Sequence, residues 1–229
     1  MIQAQMRRIA LCAALTVAAG SIGTGAEETY RPARLADGRP PASPAITIAG
    51  GGEVLLELSV DPQGRVSHVD RLRTTPPYTD MVAEAVETWR FTPAEAFSDR
   101  NGRRLVDARV LVAAVYRAPA LYNGRTVGEV PKDVAKPSIS VPVPEELLPP
   151  SYPPNGSGDA VVLLEAEIGA DGTTKDVRVV HSGGGFDAAA LQAVQRWTFR
   201  PARSLDEGPL PSFAYVIVGF RQPIQPGIR

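Results

Sequence analysis

The stretch AVETWRFTPA at 85–94 returns as AVQRWTFRPA at 193–202, and this internal repeat constrains the fold more than any other feature of the chain. The only two tryptophans, Trp89 and Trp197, both lie in it. A shift of 108 residues superposes the copies without a gap from the first apolar alternation to the proline. Val54, Leu56, Leu58 and Val60 meet Val162, Leu164, Ala166 and Ile168, each set alternating as a strand with one buried face does. Asp61-Pro62-Gln63-Gly64 meets Gly169-Ala170-Asp171-Gly172, and each tetrapeptide ends in the glycine that a tight turn with positive φ demands. Second strands are predicted around 65–73 and 173–181.

A helix follows in each copy. Tyr78, Met81, Val82, Ala85, Val86 and Trp89 recur at i, i+3, i+4, i+7, i+8 and i+11, as do Phe186, Ala189, Ala190, Ala193, Val194 and Trp197. That spacing is one helical face. Thr79 and Asp187 are the predicted N-caps. Pro93 and Pro201 prevent the helices from continuing. Trp89, Phe91, Pro93 and their counterparts Trp197, Phe199 and Pro201 read as packing and stop residues that plug each helix onto its sheet. Last strands are predicted at 107–116 and 212–220, both rich in β-branched and aromatic residues. The register breaks just before them, where the first copy inserts residues in the polar stretch 96–105, expected as a loop.

The predicted class is therefore α+β, with two tandem units of strand–strand–helix–strand, each with one helix packed on a three-stranded sheet. The expected boundaries are an export signal at 1–26, a Pro-rich segment at 27–50, a first unit at 51–118, a Pro-rich linker at 119–151 and a second unit at 152–222. The prolines cluster in the two connecting segments, which are expected to run extended over the surface or to hold the units apart.

The export signal rests on Arg7 and Arg8, the apolar run Ile9–Gly20 and the small residues Thr24-Gly25-Ala26. Cleavage after Ala26 predicts a periplasmic protein; retention of the apolar stretch as an inner-membrane anchor is the alternative. Cys12 is the only cysteine, so the cleaved chain would have no thiol for a disulfide, a metal or nucleophilic catalysis. A net charge of −1 argues against nucleic acid as a partner.

From Tyr152-Pro153 onward the second copy reads as a continuous string. A strand opens at Gly158 and ends at Ile168, and Asp171-Gly172 follows. Next come Val177-x-Val179-x-x-Ser182-Gly183, then Asp187-x-Ala189-Ala190-Leu191-x-Ala193, then Trp197-x-Phe199-x-Pro201-Ala202. This string resembles the TonB C-terminal domain. The first copy resembles it more loosely through Gly52-Glu53-Val54, Asp61-x-x-Gly64, Ala85-Val86 and Trp89-x-Phe91-x-Pro93. The resemblance implies a non-enzymatic periplasmic module that binds a protein or peptide segment, such as part of an outer-membrane receptor, by β-strand addition in TonB-type transport. It also implies that strand 212–220, with 107–116 by analogy, is the docking edge, through Ala214, Tyr215, Val216, Ile217 and Val218. The alternative is an envelope scaffold that self-associates, as a homodimer, through sheet edges.

No catalytic residue, metal site, cofactor or small-molecule substrate is expected. His68 and His181 are not equivalent under the repeat and make a poor zinc set. Ser182 beside His181 lacks the surroundings of a nucleophile. Gly183-Gly184-Gly185 reads as a strand-to-helix turn. Glu53, Glu57, Glu165, Glu167 and Asp171 read as a solvated sheet face or turns.

Overall fold

The computed structural model describes residues 29–45, 50–98, 102–118, 132–133, 138–204 and 208–223. The expected export signal lies outside them. The main elements are β1 (Gly52–Val60), β2 (Val66–Thr74), α1 (Tyr78–Glu87) and β3 (Ala108–Tyr116), then β4 (Ala160–Ile168), β5 (Thr174–His181), α2 (Asp187–Val194) and β6 (Ser212–Phe220). Strand–strand–helix–strand thus occurs twice in an α+β fold.

The repeated motif has a backbone role as well as a packing one. Gly64 and Gly172 close the β1–β2 and β4–β5 turns at φ +78° and +79°. The Phe91 N–H donates to the Gly64 carbonyl and the Phe199 N–H to the Gly172 carbonyl, both at 2.8 Å. A Cβ on Gly64 would lie 1.9 Å from the Phe91 oxygen, and one on Gly172 would lie 2.0 Å from the Phe199 oxygen. Only glycine therefore allows the segment after each tryptophan to lie against the hairpin turn. The predicted caps behave differently from expectation. Thr79 Oγ1 accepts the Thr75 N–H at 2.8 Å, and Asp187 Oδ1 accepts the Gly183 N–H at 2.7 Å. Each side chain ties down the turn before its helix, and neither bonds a helix amide.

The strands form one sheet, in the order β5-β4-β6-β3-β1-β2, closed at the far end by the short strand Lys132–Asp133. The three strands of each half are thus joined in a single sheet. Every pairing is antiparallel except β6 with β3, which is parallel. A rotation that exchanges two parallel neighbours about an axis along the strands must turn the sheet over. The two helices accordingly lie on opposite faces. Val54, Leu56, Leu58 and Val60 pack with Val82, Val86 and Trp89 in one core, which also takes Leu163, Tyr215 and Ile217 from the other half. Val162, Leu164, Ala166 and Ile168 pack with Ala190, Val194 and Trp197 in the second core, which takes Leu55, Leu111, Ala113 and Val115 in return. Strands buried on both faces read as near-continuous apolar runs, which is why β3 is ARVLVAAVY and β6 is SFAYVIVGF.

The Pro-rich segments do not hold two bodies apart. The short strand Arg34–Asp37 pairs with Arg90–Thr92, and Val143–Pro144 pairs with Phe199–Arg200. Trp89 Nε1 donates to the Arg39 carbonyl at 2.9 Å and Trp197 Nε1 to the Leu148 carbonyl at 3.3 Å. Leu35, Val141 and Leu147 are buried in the cores. The stretch expected as a polar loop is instead the hairpin Ala94–Ser98 and Gly102–Val106, paired with Thr29–Arg31.

Candidate protein-binding edge

Ala214, Tyr215, Val216, Ile217 and Val218, expected on a free edge, sit at the centre of the sheet. On one side Ala214 to Val218 pair with Ala166 to Val162, and on the other with Leu111 to Val115. All five are fully buried. The strand at 107–116 is likewise interior, between β6 and β1. The expectation is corrected for a physical reason. A strand apolar on both faces gains most when sheet continues on both sides of it, and here each half supplies the other's missing neighbour. The sequence signal that could have revealed this is the absence of polar–apolar alternation in both strands.

The open edge is β5. Among the described residues it pairs antiparallel with β4 on one side and with no strand on the other. Little of it is enclosed: Val177 is buried, Val179 and Val180 are half-buried, and Lys175, Asp176, Arg178 and His181 are exposed. Register shifts flank a regular stretch in which Asp176, Val177, Arg178 and Val179 oppose Glu167, Ala166, Glu165 and Leu164. An unpaired strand flank offers main-chain donors and acceptors to an incoming strand. The opposite end differs. There Arg73 and Thr74 of β2 are already paired with Asp133 and Lys132. Charged side chains of β2 are also matched within the chain, through Arg109–Asp70, Arg71–Asp80 and Arg73–Glu53.

Behind β5 lies a buried polar node where outward alternation predicts a solvated face. Glu165 is 2% exposed. Its Oε1 accepts from Arg34 Nη2 at 2.6 Å and from Arg178 Nε at 2.7 Å. Its Oε2 accepts from Arg178 Nη2 at 2.9 Å and from the Tyr215 hydroxyl at 3.0 Å. Burial alone would raise the Glu165 carboxyl, but hydrogen bonds from Arg178 and Arg34 outweigh it and hold the group below the usual carboxylate range. Burial, with Glu165 nearby, pushes the Tyr215 hydroxyl well above its ordinary value. Arg34 stays charged and also lies 4.8 Å over the Phe213 ring. The node joins the N-terminal segment, the central strand and the open edge. Glu57, the counterpart of Glu165, is also buried, at 3% exposure. It accepts the Ser138 N–H at 2.8 Å and lies 3.5 Å from Arg109. Both positions correct the expectation of a solvated face: each carboxylate lies where a connecting segment crosses the sheet.

The remaining candidates are placed as follows. Trp89, Phe91, Trp197 and Phe199 are buried in the two cores. Pro93 and Pro201 follow the short strands that carry the phenylalanines. His68 bonds Asp70 at 3.1 Å, and Ser182 Oγ donates to Asp187 Oδ2 at 2.6 Å. Among the described residues no group of three His, Cys, Asp or Glu could hold a metal. An open groove of about 430 Å³ between Tyr152-Pro153 and α2 is lined mainly by proline and alanine. No helix among the described residues is long and apolar enough to cross a membrane.

Residues 156–208 match the family model described as Gram-negative bacterial TonB protein C-terminal. The match takes in β4, β5 and α2 and ends before β6. No curated protein matches the chain.

Proposed function

We propose, from a second half whose residues 156–208 belong to the TonB C-terminal family, that this chain is a non-enzymatic periplasmic protein-binding protein that takes a partner's extended segment by strand addition at β5. The supporting observation is that, among the described residues, β6 is paired on both sides while β5 is paired on one. Residues 51–118 are, on this reading, a diverged second copy of the same unit, and its β3 occupies the flank of β6 permanently. Displacing β3 would break a parallel pairing from Ala214 to Gly219 and expose two buried faces. A receptor segment in TonB-type transport is the partner class the family points to. The free edge also suits self-association, because a β5 flank can add any strand of matching pattern.

The reading is tested with single-cysteine probes made in a Cys12→Ser background. Lys175→Cys places a thiol on the exposed part of β5, and Gln192→Cys places one on the outer side of α2. Maleimide labelling is compared between intact cells and the purified, dilute protein. Strand addition predicts that the β5 thiol is shielded in cells and reactive when purified, with the α2 thiol reactive in both. Equal reactivity of the β5 thiol in the two settings would sink the proposal.

A further inference from the structure

We infer that the strand added to β5 is the β5 of a second copy, paired antiparallel about a two-fold axis at Val177; this rests on the reading of β5 as the docking edge. The argument begins with unmatched charge. Asp176 is exposed and directly opposes Glu167 on β4, a like-charged pair on one face of the sheet. No cation within the described chain bonds Asp176. Two positions on, Arg178 gives Nε and Nη2 to Glu165, which fixes the guanidinium and leaves Nη1 unused. Its side chain is 46% exposed. The edge therefore carries a fixed cation with one donor to spare, next to an anion that lacks a partner.

A strand that satisfies both must present a carboxylate opposite Arg178 and a cation opposite Asp176, on the same face and two residues apart. In an antiparallel pair directly opposite residues share a face. Turning β5 about Val177 places Asp176 of each copy across from Arg178 of the other, twice over, with Val177 facing Val177. The strand is its own complement. Lys175 does not oppose this register, because its charge is held by Asp171 at 2.7 Å on its own turn. The interface is isologous and closes after two copies. The regular stretch spans only residues 176–179 between register shifts. The contact is therefore small, and association falls in the range of ~10 µM to ~1 mM.

Sedimentation equilibrium of the purified, signal-free chain tests the register. The wild type is expected to show a monomer–dimer equilibrium that weakens as salt is raised. Asp176→Lys puts a cation opposite each Arg178 and is expected to raise the dissociation constant about tenfold or more. The same change supplies Glu167 with a cation inside the monomer, so its thermal midpoint should not fall. That outcome separates loss of an interface from loss of fold. Glu84→Lys makes the same charge change on exposed α1, near the far end of the sheet, and should leave the dissociation constant unchanged. A wild type that stays monomeric up to about 1 mM, or an Asp176→Lys protein with unaltered association, overturns the dimer. The in-cell labelling of the β5 thiol reports any occupant, so it can still succeed when the dimer fails.

Discussion

Trp89 and Tyr215 meet edge to face with ring centroids 5.9 Å apart, although one closes the helix of the first half and the other lies on the last strand of the second. Phe91 meets the same tyrosine at 5.8 Å. The first half's repeated motif therefore packs on the second half's central strand, and neither core can be completed by one half alone.

This sharing predicts one unfolding transition. With Trp197→Phe the remaining fluorescence reports the first core, and with Trp89→Phe it reports the second. In urea each variant should lose its tryptophan signal and its far-ultraviolet signal at the same midpoint. Two separated transitions in either variant would show that the halves fold independently.

The Tyr215 hydroxyl accepts the buried Leu35 N–H at 2.7 Å while donating to Glu165. Tyr215→Phe keeps the ring contacts but strands that N–H, and should cost about 1–3 kcal/mol. Tyr215→Ala also empties a site between Trp89 and Phe91 and should cost about 3–5 kcal/mol. Urea titration ranks the two. A phenylalanine variant as stable as wild type would mean that the bond to the N-terminal segment contributes nothing net.

Glu165 makes stability depend on acid pH. Its folded pKa lies below its ordinary value of 4.5, because Arg178 and Arg34 outweigh the effect of burial. A lowered carboxylate stabilises the fold above its unfolded pKa, and that stability is lost as pH falls through the folded value. Thermal midpoints of the wild type should therefore decline as pH drops below about 4.5. Glu165→Gln should be less stable at neutral pH, with a flatter profile across that acid window. Parallel profiles would assign the acid sensitivity to other carboxylates.

Gly172 and Gly184 separate backbone strain from steric conflict. Both have positive φ, +79° and +68°. A Cβ at Gly172 would collide with the Phe199 carbonyl, whereas one at Gly184 meets nothing within 4 Å. Gly184→Ala should cost about 1 kcal/mol from φ alone. Gly172→Ala should cost clearly more and should perturb Trp197 fluorescence, because the Phe199 bond to the turn must open. Equal costs would remove the contact from the account of the motif.

Much of this was readable from the residues. The 108-residue register places both hairpins and both helices, and β-branched and aromatic content places the last strand, β6, on Ser212–Phe220. Thr79 and Asp187 lie near the helix starts, as the helical spacing predicts, but their side chains bond backward to Thr75 and Gly183 instead of capping. Glu57 and Glu165 are buried despite their outward positions, because outward alternation implies solvent only if nothing crosses that face. The resemblance implies β6 as the docking edge, but the unbroken apolar run of that strand belongs to a strand enclosed on both sides.

The repeating strand–strand–helix–strand pattern is legible in the residues, because side-chain period, turn glycines and helix stops are local and mark each half. Tertiary structure alone decided how the copies meet. A strand's flank is made of main-chain N–H and C=O groups that are the same for almost every residue, so side-chain identity does not specify which flank is filled. Parallel pairing of β6 with β3 turned one half over, sent the helices to opposite faces, buried Glu57 and Glu165 beneath the connecting segments and left β5 as the open edge.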